Sequence, residues 1–104
     1  MSDFQKIAAT TELANGHMKT FWVQGKAIAL ANVDGEYFAI DDICTHEQCS
    51  LGTDGALDGN ILICGCHGGM YDVTTGSVIA PPPPAPVQSY ETKIDGENIL
   101  VKLQ

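Results

Sequence analysis

The chain has 104 residues, enough to bury one modest core and too few for a second domain. Thirteen acidic residues stand against five basic ones, all lysines, and the formal charge of -8 argues against nucleic acid, whose phosphates need a basic face. No apolar run is long enough to span a bilayer, and Met1-Ser2-Asp3-Phe4-Gln5 lacks the basic and apolar regions of a signal peptide, so a soluble, cytoplasmic protein is expected.

In chain order, strands are predicted at Phe4 to Ala8, Met18 to Val23, Lys26 to Val33, Tyr37 to Ile40, Asn60 to Ile63, Val87 to Ile94 and Asn98 to Leu103, where apolar and β-branched residues run between turn signals. Thr10 to Gly16 is predicted to make one helical turn, capped by Thr10 or Thr11 and ended by Gly16. Asp-Gly pairs at 34-35, 54-55, 58-59 and 95-96 favour the positive φ angles of tight turns, and the first and last mark the clearest hairpins. Phe21, Trp22, Tyr37 and Phe38 fall in strands and are read as core or sheet-face residues. Ala80-Pro81-Pro82-Pro83-Pro84-Ala85-Pro86 cannot join a sheet interior and is expected to be extended and stiff. The whole reads as all-β: a single domain over residues 1–104, an antiparallel β-sandwich or small barrel, with an insertion from about Asp42 to Val73.

Within that insertion stand Cys44-Thr45-His46 and Cys64-Gly65-Cys66-His67. Zinc modules usually pair cysteine with cysteine and histidine with histidine. Here each loop offers one of each, which suits a metal centre with two chemically different ends, approached by one loop from either side. A 2Fe-2S cluster with a Cys₂ iron and a His₂ iron has this form.

These residues resemble the Rieske family, whose C-x-H and C-x-x-H pattern is matched by Cys44, His46, Cys64 and His67, followed by Gly68. The resemblance extends through Ser50-Leu51-Gly52, Gly68-Gly69-Met70-Tyr71-Asp72 and Thr75-Gly76, as small Rieske ferredoxins are written, and covers essentially the whole chain. It implies a Rieske fold with an inserted cluster-binding subdomain and one 2Fe-2S cluster per chain. Thiolates stabilise ferric iron, so Cys44 and Cys64 would hold the inner iron, and neutral His46 and His67 the outer one, where the electron localises. Two neutral ligands raise the potential above that of all-cysteine clusters. Their second ring nitrogens would couple reduction to protonation at alkaline pH. His17, the remaining histidine, has no such partner and is read as structural.

Cys49 and Cys66 occupy the positions at which high-potential members of the family carry a disulfide between the loops. Many ferredoxins of oxygenase systems lack the pair, and a cytoplasmic setting favours free thiols, so the bonded and free states both stay open. Near the second ligand pair that branch has a serine and a tyrosine; here the positions are Gly69 and Tyr71. The serine hydroxyl is missing while the phenol remains, which implies a potential between the dioxygenase ferredoxins and the respiratory proteins. Packing beneath the loop is the plain alternative for Tyr71. Gly65, Gly68 and Gly69 would let the second loop turn tightly and bring backbone N–H groups toward the sulfides. In the resemblance the proline segment, Pro82 included, takes the place of a third loop covering the cluster.

Nothing in the sequence offers a substrate pocket, a flavin or nicotinamide fingerprint, or a mononuclear iron triad. The expected protein is therefore an electron carrier and not an enzyme, taking electrons from a flavoprotein reductase to the terminal oxygenase of a ring-hydroxylating dioxygenase system, with no membrane, nucleic-acid or small-molecule partner. A basic docking face on either partner would suit its acidity, although acidity also simply keeps a small domain soluble. Competing readings are the Rieske small subunit of a nitrite reductase, a respiratory-type Rieske protein, and a zinc-stabilised protein-binding module.

Overall fold

The computed structural model describes residues 4–43, 49–65, 69–80 and 86–103. Its strands form two antiparallel sheets. The larger takes β1 (Phe4–Ala9), β2 (Met18–Val23), β3 (Lys26–Val33), β4 (Glu36–Asp41), β9 (Ser89–Asp95) and β10 (Asn98–Lys102), in the order β1-β10-β9-β4-β3-β2. Its two edges, β1 and β2, touch, so the sheet nearly closes into a barrel. Between β4 and β9 the chain makes a one-turn helix, α1 (Leu51–Asp54), and a second sheet ordered β5 (Ala56–Asp58), β6 (Ile61–Ile63), β7 (Met70–Asp72) and β8 (Val78–Ala80).

The central strand explains how the layers join. In β3 the sequence Ile28-Ala29-Leu30-Ala31 is buried on both faces. Alternate residues of a strand point to opposite sides, and here Ile28 and Leu30 pack with Ala8, Leu13, Val23, Ala39, Ile99 and Val101, while Ala29 and Ala31 pack with Leu51, Leu62, Tyr71, Val73 and Val87. Large residues fill the barrel and small ones let the second layer approach. Each fully buried Ile, Leu or Val in these cores contributes roughly 1.5–3 kcal/mol.

Turn chemistry is mixed in its agreement with expectation. Asp34-Gly35, with φ of 54° and 87°, makes the expected β3–β4 hairpin, and Gly96 at 64° turns β9 into β10. Gln24-Gly25, with φ of 52° and 78°, is a further hairpin that its unremarkable glutamine concealed. Asp54-Gly55 is not a positive-φ turn: Asp54 ends α1, and Gly55, at φ -85°, donates its N–H to the Leu51 carbonyl. The predicted helical turn over Thr10 to Gly16 is a shorter 3-10 turn, Thr10–Glu12, at whose start the Glu12 carboxylate accepts the Ala9 N–H at 2.8 Å. It stops because Leu13 turns into the barrel core, where it is 1% exposed; Gly16, at φ 81°, lies in the next turn. Neither threonine caps the turn with its side chain.

Candidate metal centre

Two loops leave the second layer and its junction with the barrel, and each is tied shut at its foot. The first lies between Ile43 and Ser50 in the sequence. It is closed by a bridge between Ile43 and Ser50 and by the Leu51 N–H donating to the Asp42 carbonyl at 2.6 Å. Ser50 then caps α1, accepting the Thr53 N–H at 3.3 Å. The second loop joins β6 to β7 and is closed by the Cys64 N–H donating to the Gly69 carbonyl at 2.7 Å. Gly65 fastens one loop region to the other: a Cβ there would overlap the Asp54 carbonyl oxygen at the end of α1. Close approach, and not a positive φ, is what demands this glycine.

Of the expected ligands, Cys64 is described, and Cys44, His46 and His67 lie outside the described residues. Cys66, Gly68 and Pro82 also lie outside them; Pro86, the last proline, is exposed. Cys64 is 2% exposed and a free thiol, whereas Cys49, 4% exposed, is disulfide-bonded. Both sulfur-bearing residues belong to one buried cluster with Leu51, Leu62, Tyr71, Val73 and Val87. The chain thus keeps a reduced, buried thiol beside an oxidised cysteine. A buried cysteine can ligate a soft metal, whose charge would then offset that of the sulfur it binds, so this donor fits the inner end of such a centre.

Tyr71 is completely buried in this same cluster, on β7 opposite Leu62. Gly69, where a serine was noted as missing, is buried and contributes its carbonyl to the loop closure. His17 is exposed just before β2, with its backbone paired to Asn32 and Ala14. Phe21, Tyr37 and Phe38 are half-buried on the barrel, and Trp22 is 70% exposed on its outside. The group that sequence reasoning missed is Asp42 with Thr20, Ser50 and Thr53, a hydrogen-bonded set at the foot of the first loop. Ser50 followed three residues later by an acidic or hydroxyl residue was its faint signal.

A family model for the Rieske [2Fe-2S] domain matches residues 3–91. The chain belongs to the Rieske family. Among curated relatives, the biphenyl dioxygenase ferredoxin subunit of Pseudomonas sp. (strain KKS102) is 39% identical over 98 residues, covering 94% of this chain and 90% of the relative. The ferredoxin of carbazole 1,9a-dioxygenase from Nocardioides aromaticivorans IC177 superposes with a TM-score of 0.92 at 28% identity, over 99% of this chain and all of that one. A second Rieske structure, from a complex of reduced oxygenase and oxidised ferredoxin in carbazole 1,9a-dioxygenase, superposes at 0.87 with 27% identity over 98% of this chain and 94% of its counterpart. These are ferredoxin components and not catalytic oxygenases. No helix among the described residues is long and apolar enough to cross a membrane.

Proposed function

We propose that this Rieske protein is a soluble, cytoplasmic one-electron carrier that takes electrons from a flavoprotein reductase and delivers them to the terminal oxygenase of a ring-hydroxylating dioxygenase system. What supports the reading is the buried free thiol of Cys64 in one cluster with the disulfide-bonded Cys49, in a sequence whose Cys44-Thr45-His46 and Cys64-Gly65-Cys66-His67 each offer a cysteine and a histidine. The relatives named as dioxygenase ferredoxins support it over the nitrite reductase and respiratory alternatives. Cys44 and Cys64 are assigned to the inner iron and His46 and His67 to the outer. With Cys64 free and Cys44 assigned to the metal, Cys66 is left as the partner of Cys49. Burial of Cys49 then shields its sulfur from cytoplasmic thiols.

When bound, the 2Fe-2S cluster supplies a single-electron step at a potential above that of all-cysteine clusters. The chain's own residues set the conditions. Leu51, Leu62, Val73 and Val87 exclude water from the cysteine end. Tyr71 is assigned as a hydroxyl donor toward the sulfurs, which favours the reduced, more negative state. His46, His67 and the proline segment, with Pro82, are assigned to the face on which reductase and oxygenase dock in turn.

Electron paramagnetic resonance of the dithionite-reduced protein, with a redox titration followed in the visible spectrum, tests this. A rhombic signal with average g below that of all-cysteine clusters is expected. The same titration on Tyr71→Phe is expected to give a lower potential, and an unmoved one would assign the ring to packing. A colourless, redox-silent, zinc-containing preparation would replace the carrier with a protein-binding module.

A further inference from the structure

Asp42 lies two residues before Cys44 and is 2% exposed. A buried anion is costly unless a cation or several hydrogen bonds offset it. Donors alone do so here. Oδ1 accepts from the Thr20 hydroxyl and from the Gly52 N–H, each at 2.8 Å, and Oδ2 accepts from the Ser50 hydroxyl at 2.7 Å. The neighbouring ion pair uses Asp41, whose carboxylate lies 3.5 Å from Lys26, and among the described residues no cation pairs with Asp42. Gly52 is held to this geometry, because a Cβ there would come within 2.6 Å of the Thr20 backbone nitrogen.

Counting protons fixes the direction of the network. Thr20 and Ser50 have one hydroxyl proton each, and both go to the carboxylate, so the 3.0 Å between their oxygens holds none. The Thr53 hydroxyl, 2.9 Å from that of Thr20, can donate to it. With the Leu51 N–H on the Asp42 carbonyl at 2.6 Å, the first loop enters and leaves through groups fastened to one residue.

We propose that Asp42 positions the first ligand loop and, as a buried charge with no countercation among the described residues, holds down the reduction potential of the bound cluster. The proposal rests on the reading that Cys44 and His46 ligate that cluster. Even in a fully extended chain the Cα atoms of residues 42 and 44 are at most about 7 Å apart. Reduction adds one electron from an external donor, with no bond made or broken, and at this range a buried charge opposes it with little screening by salt. A lower potential favours passing the electron onward.

Asp42→Asn isolates the charge. The amide oxygen can still accept from Thr20 and Gly52, its NH₂ can donate to Ser50, and the released Ser50 proton finds the Thr20 oxygen already 3.0 Å away. Midpoint potentials of the holoproteins are measured by dithionite titration. Asp42→Asn is expected to favour reduction about tenfold, which is about 59 mV upward for a one-electron couple. Thr20→Val, which keeps the charge and removes one donor, is expected to move the potential downward; opposite signs are what a purely structural clasp would not produce. An Asp42→Asn potential at or below that of the wild type overturns the proposal. Should that variant fail to assemble, Thr20→Val decides: a downward shift supports the proposal, and an unchanged or raised potential overturns it. An iron-free, redox-silent wild type overturns the cluster reading and this proposal together, whereas a normal wild-type cluster with an unresponsive Asp42→Asn overturns this proposal alone.

Discussion

Lys26, Asp41 and Tyr90 show how much depends on a few atoms outside the metal centre. The Tyr90 hydroxyl donates to Asp41 at 2.5 Å, Lys26 lies 3.5 Å from the same carboxylate, and its ammonium sits 5.6 Å from the Tyr90 ring. The phenol beside Lys26, and then the Asp41 charge, raise the lysine above its ordinary 10.5, while burial, and then the bond to Asp41, raises Tyr90 above 10.0. Both groups are held protonated by the fold. Their stabilisation is complete below those ordinary values and is lost as pH rises through the raised ones. Stability is therefore expected to fall from about pH 10 upward, and Tyr90→Phe to cost about 1 kcal/mol at pH 7 while flattening that alkaline limb. Denaturant titrations at neutral and alkaline pH check this. None of it was legible in the sequence, because Tyr90 and Asp41 are brought together only by the pairing of β4 with β9. The family, by contrast, was legible, since the types and spacings of the cysteines and histidines are chemical constraints written locally.

At the scale of elements, sequence patterning succeeded where strands are long enough to show it. β1, β2, β3, β4, β9 and β10 fall within a residue or two of expectation, with β9 starting at Ser89 because Val87 instead packs into the layer beneath the loops. β5, β7 and β8 were missed. Each is three residues long, too short to display alternation, and each exists because it completes the sheet around β6. Met70-Tyr71-Asp72 was singled out only for its neighbouring ligands. Contact between elements also explains Gly65, read from the sequence as a tight-turn residue and found pressed against the end of α1. Gly65→Ala is expected to cost about 1–3 kcal/mol, the usual range for overpacking, or roughly 4–8 °C in melting temperature per kcal/mol. Thermal unfolding followed by circular dichroism measures it, and an unchanged melting point would show that α1 can yield.

For the whole molecule, the charge of -8 sets the expectation for encounter with a basic partner face. Opposite charge raises association rates by 10 to 1,000-fold, and the effect fades as salt shortens the Debye length from about 30 Å at 0.01 M to about 3 Å at 1 M. Electron delivery under conditions where binding limits the rate is therefore expected to slow at least about tenfold between low and molar salt. Stopped-flow measurement with the cognate reductase or oxygenase tests this, and a flat dependence would leave acidity to solubility alone. The all-β architecture was legible because turn dipeptides recur between short apolar runs, and the near-closure of the barrel was left open between sandwich and barrel because it depends on β1 meeting β2 across the molecule.

One strand serves both layers. β3 gives Ile28 and Leu30 to one core and Ala29 and Ala31 to the other, so the part that carries the metal and the part that carries the fold have a wall in common. Such a wall cannot be lost by one layer and kept by the other. The two layers are therefore expected to melt as one cooperative unit, with the backbone amides of β3 the last to exchange with solvent. Loss of the metal is then felt in the barrel as well as in the loops, and whatever steadies the barrel steadies the site that exchanges electrons.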